Sequence, residues 1–177
     1  EYALLGWPDH LIFHAHSEDD WVHVTHGSMA GNRDGISASI PDEELQERLP
    51  RDIALFVSAH THKPLERTLG DMQILNVGSV GSPFDGDVRA SYGQMELRDG
   101  RWRTRILRLP YDRALTERDF TESGFIEQGG PLARIIVEEW RRARLMMPEW
   151  HRRYRQAVRN EEIALDRSVT EFLRSLD

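Results

Sequence analysis

The sequence predicts an α/β chain: residues 1–109 are rich in strands around one helix, and the remainder is all-helical. Three observations carry that expectation. Ile53-Ala54-Leu55-Phe56-Val57-Ser58-Ala59 is an apolar run without polar alternation, as expected of a strand covered on both faces. Asp99-Gly100 stands between two extended segments, residues 91–97 and 101–109, which is a strong hairpin signal. After Pro131, the residues Leu132, Ile135, Ile136, Trp140, Ala143 and Met147 recur at three-and-four spacing, the period of an amphipathic helix.

The other elements follow in chain order. Residues 11–16 and 21–25 read as strands, with Ser17-Glu18-Asp19-Asp20 as the polar turn between them. Ser39 with Asp42 three residues on, and Pro41 in the first turn, marks a helix over residues 41–49 that stops before Pro50. A short strand over residues 73–77 runs into the turn Gly78-Ser79-Val80-Gly81-Ser82-Pro83. Residues 118–123 look helical, with Gly124 closing them. After Pro148, Trp150, Tyr154, Val158, Leu165, Val169, Phe172 and Leu176 form one apolar stripe, read as a single helix. The division expected is a first part over residues 1–110 and a helical C-terminal extension over residues 111–177. The apolar stripes of the extension are expected to pack on the sheet core or on a second copy of the chain, which makes homo-oligomerisation through the C-terminal helices a further expectation.

Composition narrows the chemistry. The chain has 177 residues, 39% of them hydrophobic, which suffices for one core with a small appendage. It contains no cysteine, so disulfides, thiol nucleophiles and cysteine-ligated metals are excluded. Any metal must be held by His, Asp, Glu or Asn. The net charge is −7, from 30 acidic and 23 basic residues, a poor balance for general binding to nucleic acid or anionic membranes. No apolar run approaches the length of a membrane span, and no basic-then-apolar leader opens the chain. A cytoplasmic protein, without membrane attachment and with nucleic acid an unlikely partner, is the expectation. Arg141, Arg142, Arg144, Arg152, Arg153, Arg155 and Arg159 are read as a solvated helix face balanced by Glu138, Glu139, Glu161 and Glu162.

Seven of the eight histidines fall within the first 62 residues. Three of them end strands. His26 follows Val22-His23-Val24-Thr25 and precedes Gly27, while His60 and His62 follow the most apolar strand and precede Lys63-Pro64. In open α/β sheets, sites form at the carboxyl ends of strands. A strand-end histidine taken singly is most simply a hydrogen-bonded core residue. Three together, two of them one residue apart, suit a divalent transition metal, because neutral imidazoles are good ligands for it. His14, His16 and His23 alternate along strands; His14 and His16 share one face, as metal ligands might, and a solvated edge-strand face is the expectation for them. The turn containing Asn76, Gly78 and Ser79 has two readings: a structural turn, or small residues that let the backbone pack beneath the metal-binding turn near a phosphate.

Val24-Thr25-His26-Gly27-Ser28, Ala59-His60-Thr61-His62-Lys63-Pro64 and Asn76-Val77-Gly78-Ser79-Val80-Gly81 occur in that order. Together they resemble the last three motifs of the calcineurin-like metallophosphoesterases, in particular the small bacterial phosphodiesterase branch. Ala59 stands where that family usually has Gly, and Val77 where it usually has Pro; neither position is a ligand. The resemblance implies a metallophosphoesterase-type β-sandwich flanked by helices, of which residues 1–110 are the C-terminal part. It implies a hydrolase that cleaves phosphomono- or phosphodiesters of small molecules by a metal-bridging hydroxide. The cofactors implied are two divalent metal ions drawn from Mn, Fe, Zn or Ni, with His26 and His60 on one and His62 on the other.

The family's earlier motifs, Asp-x-His, Gly-Asp and Gly-Asn-His-Asp, do not occur before His26. Asn32-Arg33-Asp34 comes after it, in the wrong order. The remaining ligands and the acid/base histidine are therefore expected in a missing N-terminal portion of the same domain, a reading to which Glu1 in place of Met adds. Alone, this chain is expected to have little or no hydrolase activity. The alternative is a non-catalytic scaffold or interaction module on the same fold with an incomplete metal site, as in the retromer subunit.

Overall fold

In a computed structural model, residues 6–16 and 19–176 are described; Ser17 and Glu18 of the expected turn lie outside the described residues. The chain divides into two units. One takes the described residues up to Asp85 together with Arg89–Leu109, and the other takes Gly86–Val88 together with the described residues from Pro110 onward.

The first unit is built on a five-stranded mixed sheet. Its strands are β1 (His10–Phe13), β2 (Val22–Thr25), β3 (Leu55–Ser58), β4 (Leu65–Leu69) and β5 (Met72–Asn76), in the spatial order β1-β2-β3-β5-β4. The three inner strands run parallel, with Val22 opposite Leu55 and Leu55 opposite Gln73, and the two edge strands run antiparallel to their neighbours. β3 is buried at every position, as its unbroken apolar run requires of an inner parallel strand.

Successive side chains point to opposite faces of the sheet, and each face has its own core. Val22, Leu55, Val57 and Leu75 pack with Trp102, Leu97 and Ile106 of a two-stranded sheet, β6 (Ala90–Arg98) and β7 (Arg101–Leu109). Phe56 and Ile74 point the other way, onto Ile36 and onto Leu45 of the helix α1 (Asp42–Glu47) and Leu49 beyond it. The β6–β7 turn has Asp99 and Gly100 both at positive φ, 52° and 72°, the conformation that an Asp-Gly hairpin favours.

The second unit is helical: α2 (Arg113–Glu122), α3 (Phe125–Gln128), α4 (Pro131–Arg142), α5 (Met147–Arg159) and α6 (Leu165–Arg174). Asp112 caps α2 by accepting from Leu115 N at 3.0 Å, so that helix starts well before residue 118. The stripe after Pro148 is two helices, not one. The chain breaks after Asn160, where Glu161 takes a left-handed φ of 60°. Trp150, Tyr154 and Val158 of α5 and Leu165, Val169 and Phe172 of α6 nevertheless share one core with Ile135 and Met146, which is why the stripe reads as continuous. Among the described residues no helix is long and apolar enough to cross a membrane.

His23 departs from expectation. It lies on an inner strand with β1 on one side and β3 on the other, and is 2% exposed rather than solvated. Its Nε2 meets Nδ1 of His10 at 2.9 Å, and its ring packs on Phe56. His14 and His16 are exposed, but β1 ends at Phe13 and both lie beyond it, where Asp20 accepts from Ala15 N and His16 N, so neither stands on an edge strand. Burial first, and then the neighbouring His10, hold the His23 pKa below its ordinary value of 6.5. The sign of the effect follows from linkage. Above pH 6.5 the group is neutral in both folded and unfolded chain; as the pH falls below that value, the unfolded chain takes up the proton first. Stability should therefore decline with acidification through and below pH 6.5, and His23→Leu should flatten that slope. Urea unfolding across this pH range measures it, and equal slopes in the two proteins would refute the assignment.

Candidate metal centre

Parallel pairing puts the carboxyl ends of β2, β3 and β5 on one edge of the sheet, so His26, His60 and Asn76 are neighbours although far apart in sequence. The backbone ties them: Ala59 N donates to His26 O at 3.0 Å, and Val77 N to Ser58 O at 2.9 Å. His26 is exposed, and His60 and His62 are half-buried. His26 Nε2 and His60 Nδ1 stand 3.2 Å apart, with the rings edge-to-face at 82°.

His62 is held separately. Its Nδ1 donates to the Ser82 carbonyl at 2.7 Å, and its ring stacks on Phe84 at 4.8 Å between centroids. That hydrogen bond places the proton on Nδ1 and leaves the Nε2 lone pair free, the tautomer a metal ligand requires.

The turn carrying these histidines is contorted. His60 and His62 both have positive φ, 45° and 57°, an arrangement a side chain with Cβ adopts only when its surroundings enforce it. Asn76 does the enforcing. Fully buried at the end of β5, its amide donates to Ala59 O at 2.6 Å and to Thr61 Oγ1 at 2.9 Å, while its Oδ1 accepts from Gly78 N at 3.0 Å. These bonds tie the Asn76–Gly78–Ser79 turn to the turn that carries the histidines. Ser79 closes the turn by accepting from Ser82 N at 3.0 Å.

Two glycines let the pieces approach. A Cβ on Gly35 would lie 2.6 Å from Thr61 Cγ2 and 3.0 Å from His60 Cδ2. Gly78 has φ 75°, and a Cβ there would lie 2.7 Å from Pro64 and 2.9 Å from Ser91 Oγ. Gly78→Ala should accordingly destabilise the protein by about 1–3 kcal/mol, from strain and overlap together. Thermal unfolding measures this, and an unchanged melting temperature would mean that the turn yields freely. Nothing in the local pattern around Gly35 marks its close approach to a turn 25 residues away.

The donor set fits a divalent transition metal in part. A spacing of 3.2 Å lets both ring nitrogens of His26 and His60 lie about 2.1 Å from one cation. No carboxylate accompanies them: among the described residues, no group of three or more His, Asp or Glu side chains is placed to hold a metal. Asp34, the nearby acid of Asn32-Arg33-Asp34, accepts from Ser28 Oγ and pairs with Arg48, and so braces the loop after β2. Ser58 Oγ, buried two residues before His60, has no hydrogen-bond partner among the described residues. A groove of about 900 Å³ lies at the opposite end of the sheet, where β3 and β5 begin, lined by Asp19, Asp52, Glu66, Asp71 and Arg101 among others, with no histidine.

No protein-family profile matches the sequence, nor does any curated protein. Solved structures do match. A hypothetical protein from Pyrococcus horikoshii superimposes with a TM-score of 0.62 at 15% identity, over 78% of this chain and 52% of that one. A metallophosphoesterase from Sphaerobacter thermophilus gives a TM-score of 0.60 at 24% identity, over 80% of this chain and 62% of that one. The chain thus has the calcineurin-like metallophosphoesterase fold, and it spans only about half to three fifths of the length of these structures.

Proposed function

We propose that this chain is the C-terminal part of a metal-dependent phosphoesterase, with residues 1–110 belonging to the catalytic domain and residues 111–177 forming an extension. The observation that carries the reading is the convergence of His26 Nε2 and His60 Nδ1, 3.2 Å apart, at the carboxyl ends of two parallel strands. In this reading His26 and His60 hold one divalent cation, and His62, its Nδ1–H donated to the Ser82 carbonyl, offers Nε2 to a second. Such cations supply Lewis acidity: they neutralise phosphate oxygens and acidify bound water. Asn76 keeps His60 and His62 in their strained turn, so that the ligands are positioned before metal arrives.

Two or three imidazoles without a carboxylate bind a cation weakly, so the remaining ligands and the acid/base histidine are assigned to a segment preceding residue 1. Edge strand β1 supports that assignment. Leu11 and Ile12 on it are 52% and 53% exposed, apolar surface that a further part of the domain would cover. A non-catalytic scaffold on the same fold is the second reading, favoured by the lack of a three-donor cluster among the described residues.

One experiment separates the two. Full-length protein, freed of metal and reloaded with Mn²⁺, Fe²⁺, Zn²⁺ or Ni²⁺, is assayed on an aryl phosphodiester and an aryl phosphomonoester. Metal-dependent hydrolysis is expected, and little from residues 1–177 alone. Absence of turnover with every metal would leave the scaffold.

A further inference from the structure

The arginines of the helical unit are not equivalent, and their partners show it. Arg141 and Arg142 pair with Glu138, Arg153 pairs with Glu149 and also donates to Ser175 Oγ, and Arg144 reaches Glu149 at 3.5 Å. Glu139, expected to balance this face, is 5% exposed and accepts from the backbone of Met146 and Met147 instead. Arg152, Arg155 and Arg159 are exposed on α5 and have no hydrogen bond or ion pair among the described residues.

These three form a row. At about 100° per residue they fall within about 60° of arc, and they span about 10 Å along the axis. The row lies well away from the side of α5 that Trp150, Tyr154 and Val158 bury in the core. No carboxylate stands four residues from any of them; of those three residues away, Glu149 is engaged by Arg144 and Arg153, and Glu162 lies beyond the helix end and accepts from Asn160. Like charges a turn apart destabilise a helix by a few tenths of a kcal/mol per pair. The helix dipole rewards Arg159, in the last turn, but does nothing for Arg152 near the start.

We propose that the outer face of α5 is a docking surface for an acidic segment of another protein, presenting carboxylates at one-turn intervals to Arg152, Arg155 and Arg159. Guanidinium groups suit this role: they are weakly hydrated, fork to a carboxylate through two hydrogen bonds, and are enriched at protein interfaces. A carboxylate partner is favoured over a nucleic acid because the whole chain carries −7, which repels a long polyanion at range, whereas a short acidic segment meets only the local row.

The test uses the full chain and two fluorescein-labelled probes at low ionic strength: a helical peptide with glutamates at successive one-turn positions, and a single-stranded DNA of similar length. Anisotropy should show the peptide binding, with affinity falling at least about tenfold in the triple variant Arg152→Gln, Arg155→Gln, Arg159→Gln. Arg103→Gln with Arg105→Gln, on β7, should leave the affinity unchanged. Helical circular dichroism confirms that the variants are folded. The proposal is overturned by peptide binding that is absent or indifferent to the triple substitution, or by DNA binding more tightly than the peptide through the same three residues.

Discussion

Alanine at His60 is expected to lower phosphodiester hydrolysis by the full-length protein more than about 100-fold, the loss to be expected when a direct metal ligand is removed. His60 Nδ1 and His26 Nε2 are 3.2 Å apart, so in the proposed site each variant would delete one of the two nitrogens assigned to a single cation. Once one is gone the cation is lost or misplaced, and removing the other adds little. His26→Ala, His60→Ala and the double variant should therefore lose similar amounts, a strongly non-additive cycle. His62 differs, because its partners are Ser82 and Phe84 rather than the other two rings. Metal titration of His62→Ala should show one cation retained. Neither His26 nor His60 is buried in a core cluster, so thermal stability should hardly change in their variants. Additive losses, or activity that survives in the double variant, would break the pairing.

The three histidines could be found from the sequence because each ends a strand whose own residues announce it. β3 is an uninterrupted apolar run, and β2 alternates beside it. Asn76 was visible as part of a turn, but its function was not. That depends on β5 pairing parallel to β3, which brings the Asn76 amide under Ala59 and Thr61, and no local pattern encodes a neighbour 15 to 17 residues away. The same limit hid the burial of His23. A histidine between two valines reads as the polar half of an alternating strand, and only the packing of its ring on Phe56 and against His10 shows that its face is covered. β4 carries a plainer local signal. Leu65-Glu66-Arg67-Thr68-Leu69 alternates, and Gly70-Asp71 follows as a two-residue turn into β5, with Gly70 at φ 58°; that is a hairpin signal in its own right. The break between α5 and α6 had no such mark. Asn160-Glu161-Glu162-Ile163-Ala164 contains neither Gly nor Pro, and Glu161 is driven into the left-handed region because both helices must return to the core around Trp150 and Phe172.

The largest effect on stability should come from Glu139→Ala. Helix α5 begins at Met147 without a side-chain cap of its own, since Met146 occupies the capping position. The need is met from α4. Glu139, buried four residues before the sharp left-handed turn at Ala143, accepts from Met146 N and Met147 N, both at 2.6 Å on the same Oε1. A carboxylate is well placed there, at the positive end of the α5 dipole. Alanine would leave the two amides without an acceptor in a region from which water is largely excluded, and each such loss is worth about 1–3 kcal/mol before relaxation. A net loss of about 2–4 kcal/mol is expected for the helical unit. Gln keeps an oxygen that can receive both bonds and forgoes only the charge, so Glu139→Gln should recover more than half. Urea unfolding followed by helical circular dichroism and tryptophan fluorescence reads both variants. Should alanine cost less than about 1 kcal/mol, or should Gln fare no better than Ala, the carboxylate would be a passenger and α5 would be capped by other means.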